Sequence, residues 1–92
     1  MTAALDGMRI LDLTQYEAGP SATQALAWMG ADVVKVERPV VGDPGRFGAG
    51  KTDSGYFLNW NANKRSLALD LGGDEGRGLL LEMLPRFDPD RY

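Results

Sequence analysis

Glu37 and Arg38 stand side by side at the end of an aliphatic run, Asp32-Val33-Val34-Lys35-Val36. A carboxylate there can hold a ribose hydroxyl, and a guanidinium can grip a phosphate monoester through two charge-assisted hydrogen bonds. A second segment, Thr14 to Pro20, closes on Gly19-Pro20 and leads into a helical pattern. The open N–H groups and dipole at a helix start favour an anion. A third, Leu69-Asp70-Leu71-Gly72-Gly73, follows another aliphatic run. Ligands of open parallel sheets bind beyond the carboxyl ends of the strands, where all three segments fall. Together they read as a site for a phosphorylated nucleotide. Plainer readings compete. Glu37 and Arg38 suit solvated rim charges, and Gly19-Pro20 a simple turn. Arg38, Arg46, Lys51, Lys64 and Arg65 suit scattered surface charge, and Asp12 a turn cap. Trp28 and Trp60 suit packing better than base stacking. Glu17 is a lone acid, and one carboxylate without a partner is a weak signal of catalysis.

What is missing narrows the chemistry. The 92 residues include no histidine and no cysteine. Ser-His-Asp and Cys-His mechanisms are excluded, as are a disulfide framework and a cysteine-based zinc site. Carboxylates, lysine, tyrosine, hydroxyls or a bound cofactor remain, and no metal is expected. Ten basic against 13 acidic residues give a net charge of −3, with a pI near 4.7, so no nucleic-acid partner is expected. The first turn has one glycine where a dinucleotide fingerprint needs G-x-G-x-x-G. Gly50-Lys51-Thr52 is the nearest approach to a P-loop and is not read as one. No apolar run nears the roughly 18–20 residues of a membrane span, and Met1 to Leu5 lacks the pattern of a secretory signal. A cytoplasmic protein is expected.

The elements that must position these segments follow from periodicity. Met8–Leu13 and Asp32–Glu37 read as strands. Between them Ala22, Ala25, Leu26 and Met29 form one helical stripe, taken as core, with Gly30 as the stop. Strand, helix and strand with short turns make a parallel βαβ unit. Arg38–Ser54 is a long glycine-rich loop, Gly55–Trp60 a short helix, and Ser66–Leu71 a third strand. Asp74 is the expected N-cap of a last helix with Leu80, Met83, Leu84 and Phe87 on one face, ended or kinked at Pro85. The fold class is α/β, the start of a Rossmann-like open parallel sheet with about three strands and two main helices. Residues 1–92 read as one portion with no second domain.

The order of these strings resembles the family III CoA-transferases, the group that includes formyl-CoA and carnitine CoA-transferases and alpha-methylacyl-CoA racemase. The resemblance is carried by Leu5–Thr14, Ala18-Gly19-Pro20, Gly30–Pro39, Gly42-Asp43-Pro44, Tyr56-Phe57-Leu58, Asn61–Leu71 and Glu75-Gly76-Arg77. It covers about residues 5–87, and several strings in order are more specific than any one.

The resemblance implies a Rossmann-like domain that binds coenzyme A as substrate, with acyl-CoA and a carboxylic acid as reactants and no membrane partner. It implies interlocked homodimers. It also implies a nucleophilic aspartate that attacks the donor acyl-CoA, giving an acyl anhydride and then an aspartyl-CoA thioester; in the racemase branch the chemistry is proton transfer beside the thioester carbonyl. Carried over by position, Glu17 and Ala18 fall at the thioester end of CoA, Arg38 at its nucleotide end, and Leu69, Asp70 and Leu71 along the adenosine. Gly72 stands where formyl-CoA transferase has lysine, and Glu17 where it has glutamine. After Phe87 the family continues into a V-E-N-[FY]-type CoA loop, whereas this sequence reads Asp88-Pro89-Asp90-Arg91-Tyr92. The nucleophile is therefore expected outside this chain, with no catalytic residue within it. The implied activity is transfer of CoA between carboxylic acids, and the 92 residues alone are expected to be inactive. The alternatives are a non-catalytic CoA- or nucleotide-binding module, a truncated remnant, or a piece of an acyl-CoA racemase.

Overall fold

The computed structural model describes residues 2–47 and 53–87. In order they form β1 (Arg9–Asp12), α1 (Ala18–Trp28), β2 (Asp32–Glu37), a 3-10 turn at Pro44–Arg46, α2 (Gly55–Trp60), β3 (Arg65–Ala68), α3 (Asp74–Met83) and a closing 3-10 turn at Leu84–Phe87. The strands make one sheet in the order β1-β2-β3. Both pairings are parallel, with Asp12 opposite Lys35 and Glu37 opposite Ala68. The α/β class and the three-stranded parallel sheet agree with the sequence pattern. Val33, Val34 and Val36 are buried because β2 is central, and the outer strands each leave one edge unpaired among the described residues.

On one face Ala27, Ala31 and Val33 form a small core, joined by Leu5, Met8, Ile10 and Leu26. On the other an open groove of about 630 Å³ lies between the sheet and α3, floored by Val34, Leu67, Leu69, Leu79, Met83 and Phe87.

Of the helical stripe expected to be core, only Leu26 packs against the core; the rest is turned outward. Ala22, Ala25 and Met29 are exposed, while Pro20 and Ala27 are buried and Thr23 and Gln24 half-buried. The polar residues go inward because partners wait there. Thr23 Oγ1 donates to Asp12 Oδ2 at 2.8 Å, and Gln24 Oε1 accepts the Ala62 N–H at 2.6 Å. Burying two alanine methyls gains little beside two satisfied interior hydrogen bonds. Trp28 shares the outward face and is 66% exposed, so it does not pack as expected. Helix α1 also begins at Ala18, four residues before the apolar pattern starts at Ala22. Pro20 sits in its first turn, where a missing N–H costs nothing. Gly30, at φ +106, ends the helix as read.

Further boundaries differ: β1 spans Arg9–Asp12 rather than Met8–Leu13. β3 stops at Ala68 rather than Leu71. The Leu69 N–H still reaches Glu37 O at 2.9 Å, but Asp70 then folds its carboxylate back onto the Gly72 N–H at 3.0 Å. Gly73, not Asp74, occupies the N-cap of α3, and no side chain caps that helix. Asp74 instead pairs with Arg77 one turn on. Gly76 lets α3 lie against this turn: a Cβ there would stand 2.0 Å from Asp70 O. Helix α3 ends at Met83, and Pro85 falls in the closing turn.

Candidate functional site: a crevice at the carboxyl edge of the sheet

The turns that leave β1, β2 and β3 converge on a crevice of about 330 Å³, lined by Leu13, Gln15, Val36, Glu37, Arg38, Leu69, Asp70, Leu71 and Gly72. Six residues singled out from the sequence, Glu37, Arg38 and Leu69 to Gly72, meet here. Arg38 also borders a neighbouring hollow of about 320 Å³ with Val40, Val41, Gly42 and Arg46. Its side chain is exposed and makes no hydrogen bond or ion pair with the described residues. Glu17 and Ala18 do not line this crevice. They lie at the start of α1, where no side chain caps the helix.

The described residues also hold a set of buried charges, of which only Glu37 lines the crevice. Lys64 Nζ lies 3.0 Å from Asp12 Oδ2, with side chains 2% and 0% exposed. It also donates to Pro20 O at 3.1 Å and Asn61 Oδ1 at 2.8 Å. Lys35 Nζ lies 2.8 Å from Asp43 Oδ2, with side chains 3% and 1% exposed, and donates to Thr14 O at 2.9 Å. Arg46 grips Glu37 with two bonds, Nε to Oε2 at 2.7 Å and Nη2 to Oε1 at 2.6 Å. The Arg46 guanidinium stacks 3.8 Å from the Phe57 ring centre.

Each acid is held ionised. Burial pushes the Asp12 carboxyl up, but hydrogen bonds from Thr14, Lys64 and Thr23 together outweigh it and leave the pKa lowered. Burial acts the same way on Asp43, where Lys35 and the N–H groups of Gly45 and Tyr16 bring it below the ordinary value. For Glu37 the Arg46 hydrogen bonds are the largest influence and lower it against burial, helped by the Asp43 N–H. Burial depresses Lys64, only partly offset by Asp12, and Arg46 is raised by Glu37 and Asp53.

These contacts revise several sequence expectations. Glu37 is not free to hold a ribose, because Arg46 and the Asp43 N–H occupy its carboxylate. Lys64 and Arg46 are not scattered surface charges, whereas Arg65 is exposed and bonds Asp32 at 2.9 and 2.7 Å. Lys51 lies outside the described residues. Asp12 caps the Thr14 N–H at 2.9 Å as read, but also anchors Lys64. The Gly50-Lys51-Thr52 string, not read as a P-loop, does have the spacing of one: Gly45–Thr52 reads G-R-F-G-A-G-K-T. Its context does not fit. A P-loop follows a strand directly, whereas β2 ends at Glu37 and Gly45 sits in a 3-10 turn with its N–H held by Asp43. Residues 48–52 lie outside the described residues.

Lys35 and Asp43 were missed as a pair. The signal was a lysine inside Val33-Val34-Lys35-Val36, since an inward charge in a central strand needs a partner. Tyr16 and Tyr56 were missed as well. Tyr16 has φ +67, and Tyr56 is raised by partial desolvation and then by the charges of Glu17 and Asp43.

A parallel α/β sheet with an arginine at its carboxyl edge that has no partner among the described residues is the arrangement in which α/β proteins place their ligands. Comparison with known proteins narrows this. The model of CoA-transferase family III matches residues 5–88, and the chain belongs to that family. It is 50% identical over 91 residues to the formyl-CoA:oxalate CoA-transferase of Rhodopseudomonas palustris strain BisA53, covering 96% of this chain and 21% of that protein. It is 48% identical to the Streptomyces avermitilis protein of the same name, covering 96% of this chain and 22% of that protein. Among solved structures, a CAIB/BAIF family protein from Brucella suis superposes with a TM-score of 0.86 at 35% identity, over 96% of this chain and 25% of that one. The D175A mutant of Rv3272 from Mycobacterium tuberculosis gives 0.80 at 39% identity, over 89% and 22%. The chain thus spans about a fifth of the length of the curated relatives it matches. No helix among the described residues is long and apolar enough to cross a membrane.

Proposed function

We propose that this chain supplies the nucleotide-binding part of a family III CoA-transferase, which moves CoA between an acyl-CoA donor and a free carboxylic acid. Residues 1–92 act as one CoA-binding portion of the family's large domain. The observation that carries the reading is Arg38, without a partner among the described residues, at a crevice formed with Leu69, Asp70, Leu71 and Gly72. CoA bears a 3′-phosphate and a pyrophosphate, and a bidentate guanidinium suits either. Leu69 and Leu71 offer an apolar edge to the adenosine, and Gly72 leaves room beside it. Glu17 and Ala18 face the thioester end, near the start of α1. Glu17, which is exposed there, disfavours an anionic acyl group by like-charge repulsion. The family resemblance puts the nucleophilic aspartate outside these 92 residues; Asp12 and Asp43, the buried aspartates among the described residues, are engaged in ion pairs. Two chains interlock in the assembled enzyme, as family membership suggests.

Isothermal titration of the chain with CoA tests this, compared with the same molecule lacking its 3′-phosphate. Arg38→Ala is expected to weaken CoA by about 1–3 kcal/mol, the loss typical of a charge-assisted contact. Absent CoA binding, or affinity indifferent to Arg38, overturns the reading. Incubation with an acyl-CoA and a free acid is expected to give no transfer, and turnover would refute the placement of the nucleophile.

A further inference from the structure

The loop between β1 and α1 is held by buried groups that do not line the crevice. Lys35 Nζ donates to Thr14 O at 2.9 Å, and Asp12 accepts from both the Thr14 N–H and its hydroxyl. Asp43 Oδ1 takes the Tyr16 N–H at 3.2 Å and, on its other side, the Gly45 N–H at 2.8 Å. Every one of these anchors is a member of a buried ion pair. Between them Tyr16 is forced to φ +67, a region that bulky side chains avoid and that persists only when the surroundings over-determine it. Gly19 completes the arrangement, since a Cβ there would stand 2.3 Å from Thr14 Cβ. The held segment is the one that sends Gln15 into the crevice.

We propose that the Lys35–Asp43 pair, seconded by Asp12–Lys64, is a positioning device: it clamps residues 13–17 in the one shape that presents Gln15 to the crevice and Glu17 to the opening of α1. Lys35 and Asp43 then govern ligand affinity without contacting the ligand. The consequence for ligand rests on the CoA reading above; the clamp itself does not.

The discriminating variant is the double Lys35→Met/Asp43→Asn. It removes both buried charges together, keeps an acceptor for the Tyr16 and Gly45 N–H groups, and deletes the Thr14 anchor. Amide hydrogen exchange of the whole chain is followed by NMR. Exchange at residues 13–17 is expected to accelerate about tenfold or more relative to α3, with the Tyr16 amide resonance shifted. Acceleration spread evenly over the fold, or none at the loop, overturns the proposal. If that double variant does not fold, the more polar double Lys35→Gln/Asp43→Asn, which leaves no buried charge without a partner, gives the same loop-against-α3 comparison. CoA titration is the second readout, with affinity expected to fall about fivefold or more while thermal stability corrected for the mutation does not predict the loss. Unchanged CoA affinity with a loosened loop removes the functional half of the proposal. Failure of the unaltered chain to bind CoA counts against the CoA reading alone and leaves the exchange result to decide the clamp.

Discussion

Replacing Asp12 by alanine, Lys64 by methionine, and then both, measures what the interior ion pair contributes. Asp12→Ala deletes the acceptor of the Thr14 N–H, the Thr14 and Thr23 hydroxyls and Lys64. Lys64 is left buried with only the neutral acceptors Pro20 O and Asn61 Oδ1. At the 3.0 Å separation, Coulomb attraction is about 5–6 kcal/mol at an effective dielectric near 20 and about 1.4 kcal/mol in water. Desolvation of both ions offsets much of this, so breaking the pair from the aspartate side is expected to cost about 3–5 kcal/mol. Lys64→Met is milder, about 1–3 kcal/mol, because three donors still satisfy Asp12. The double variant holds no orphan charge and should cost about 2–3 kcal/mol less than the two singles summed. Against a total of roughly 5–14 kcal/mol for a domain of this size, Asp12→Ala removes a large part of the stability. Urea unfolding followed by circular dichroism at pH 7 supplies the numbers, provided the slope with denaturant is constant. Two singles costing under about 1 kcal/mol each, and adding, would show an interaction no stronger than a solvent-exposed pair and would refute the reasoning.

Gly76→Ala places a Cβ 2.0 Å from Asp70 O, so α3 or the Asp70 turn must move; a loss of about 1–3 kcal/mol is expected, and CoA titration should show weaker binding while Gly78→Ala, with open space around it, does not. The lowered pKa values of Asp12, Glu37 and Asp43 mean that the unfolded chain takes up protons first as pH falls below about 4, so stability is full above that pH and drops through the folded-state values. Melting temperature followed from pH 7 to acid should show this limb, and Asp12→Asn should make it shallower. Trp28→Ala is expected to change stability by no more than about 0.5 kcal/mol, because the ring is mostly exposed; a thermal melt checks it.

Periodicity carried the class of the fold because the strands are short, aliphatic and separated by a clear helix stop at Gly30. It misoriented α1 because apolarity was the only criterion, whereas Thr23 and Gln24 turn inward to meet Asp12 and Ala62. It ran β3 three residues too far because Leu69 and Leu71 continue the alternation, and only Asp70's bond to the Gly72 N–H breaks it. Arg38 and the 69–72 turn converge because parallel strands deliver their carboxyl ends to one edge. The buried charges were illegible one at a time. Lys64 and Asp12 are 52 positions apart in sequence and meet only through the sheet and the Asn61–Lys64 turn, and no local pattern tells a surface lysine from an interior one.

The internal neutrality of the charge set bears on how fast a ligand arrives. Lys35, Lys64 and Arg46 are each matched by an acid, so they project little field, while the molecule as a whole carries −3. A polyanion such as CoA would approach against repulsion until it came within reach of Arg38. With screening over about 8 Å at physiological ionic strength, added salt should raise its association rate constant, the reverse of electrostatically steered capture. The same salt weakens the exposed Arg38 contact, so residence time shortens as encounter quickens. Exchange kinetics, more than equilibrium affinity, would then carry the imprint of where this chain keeps its positive charge.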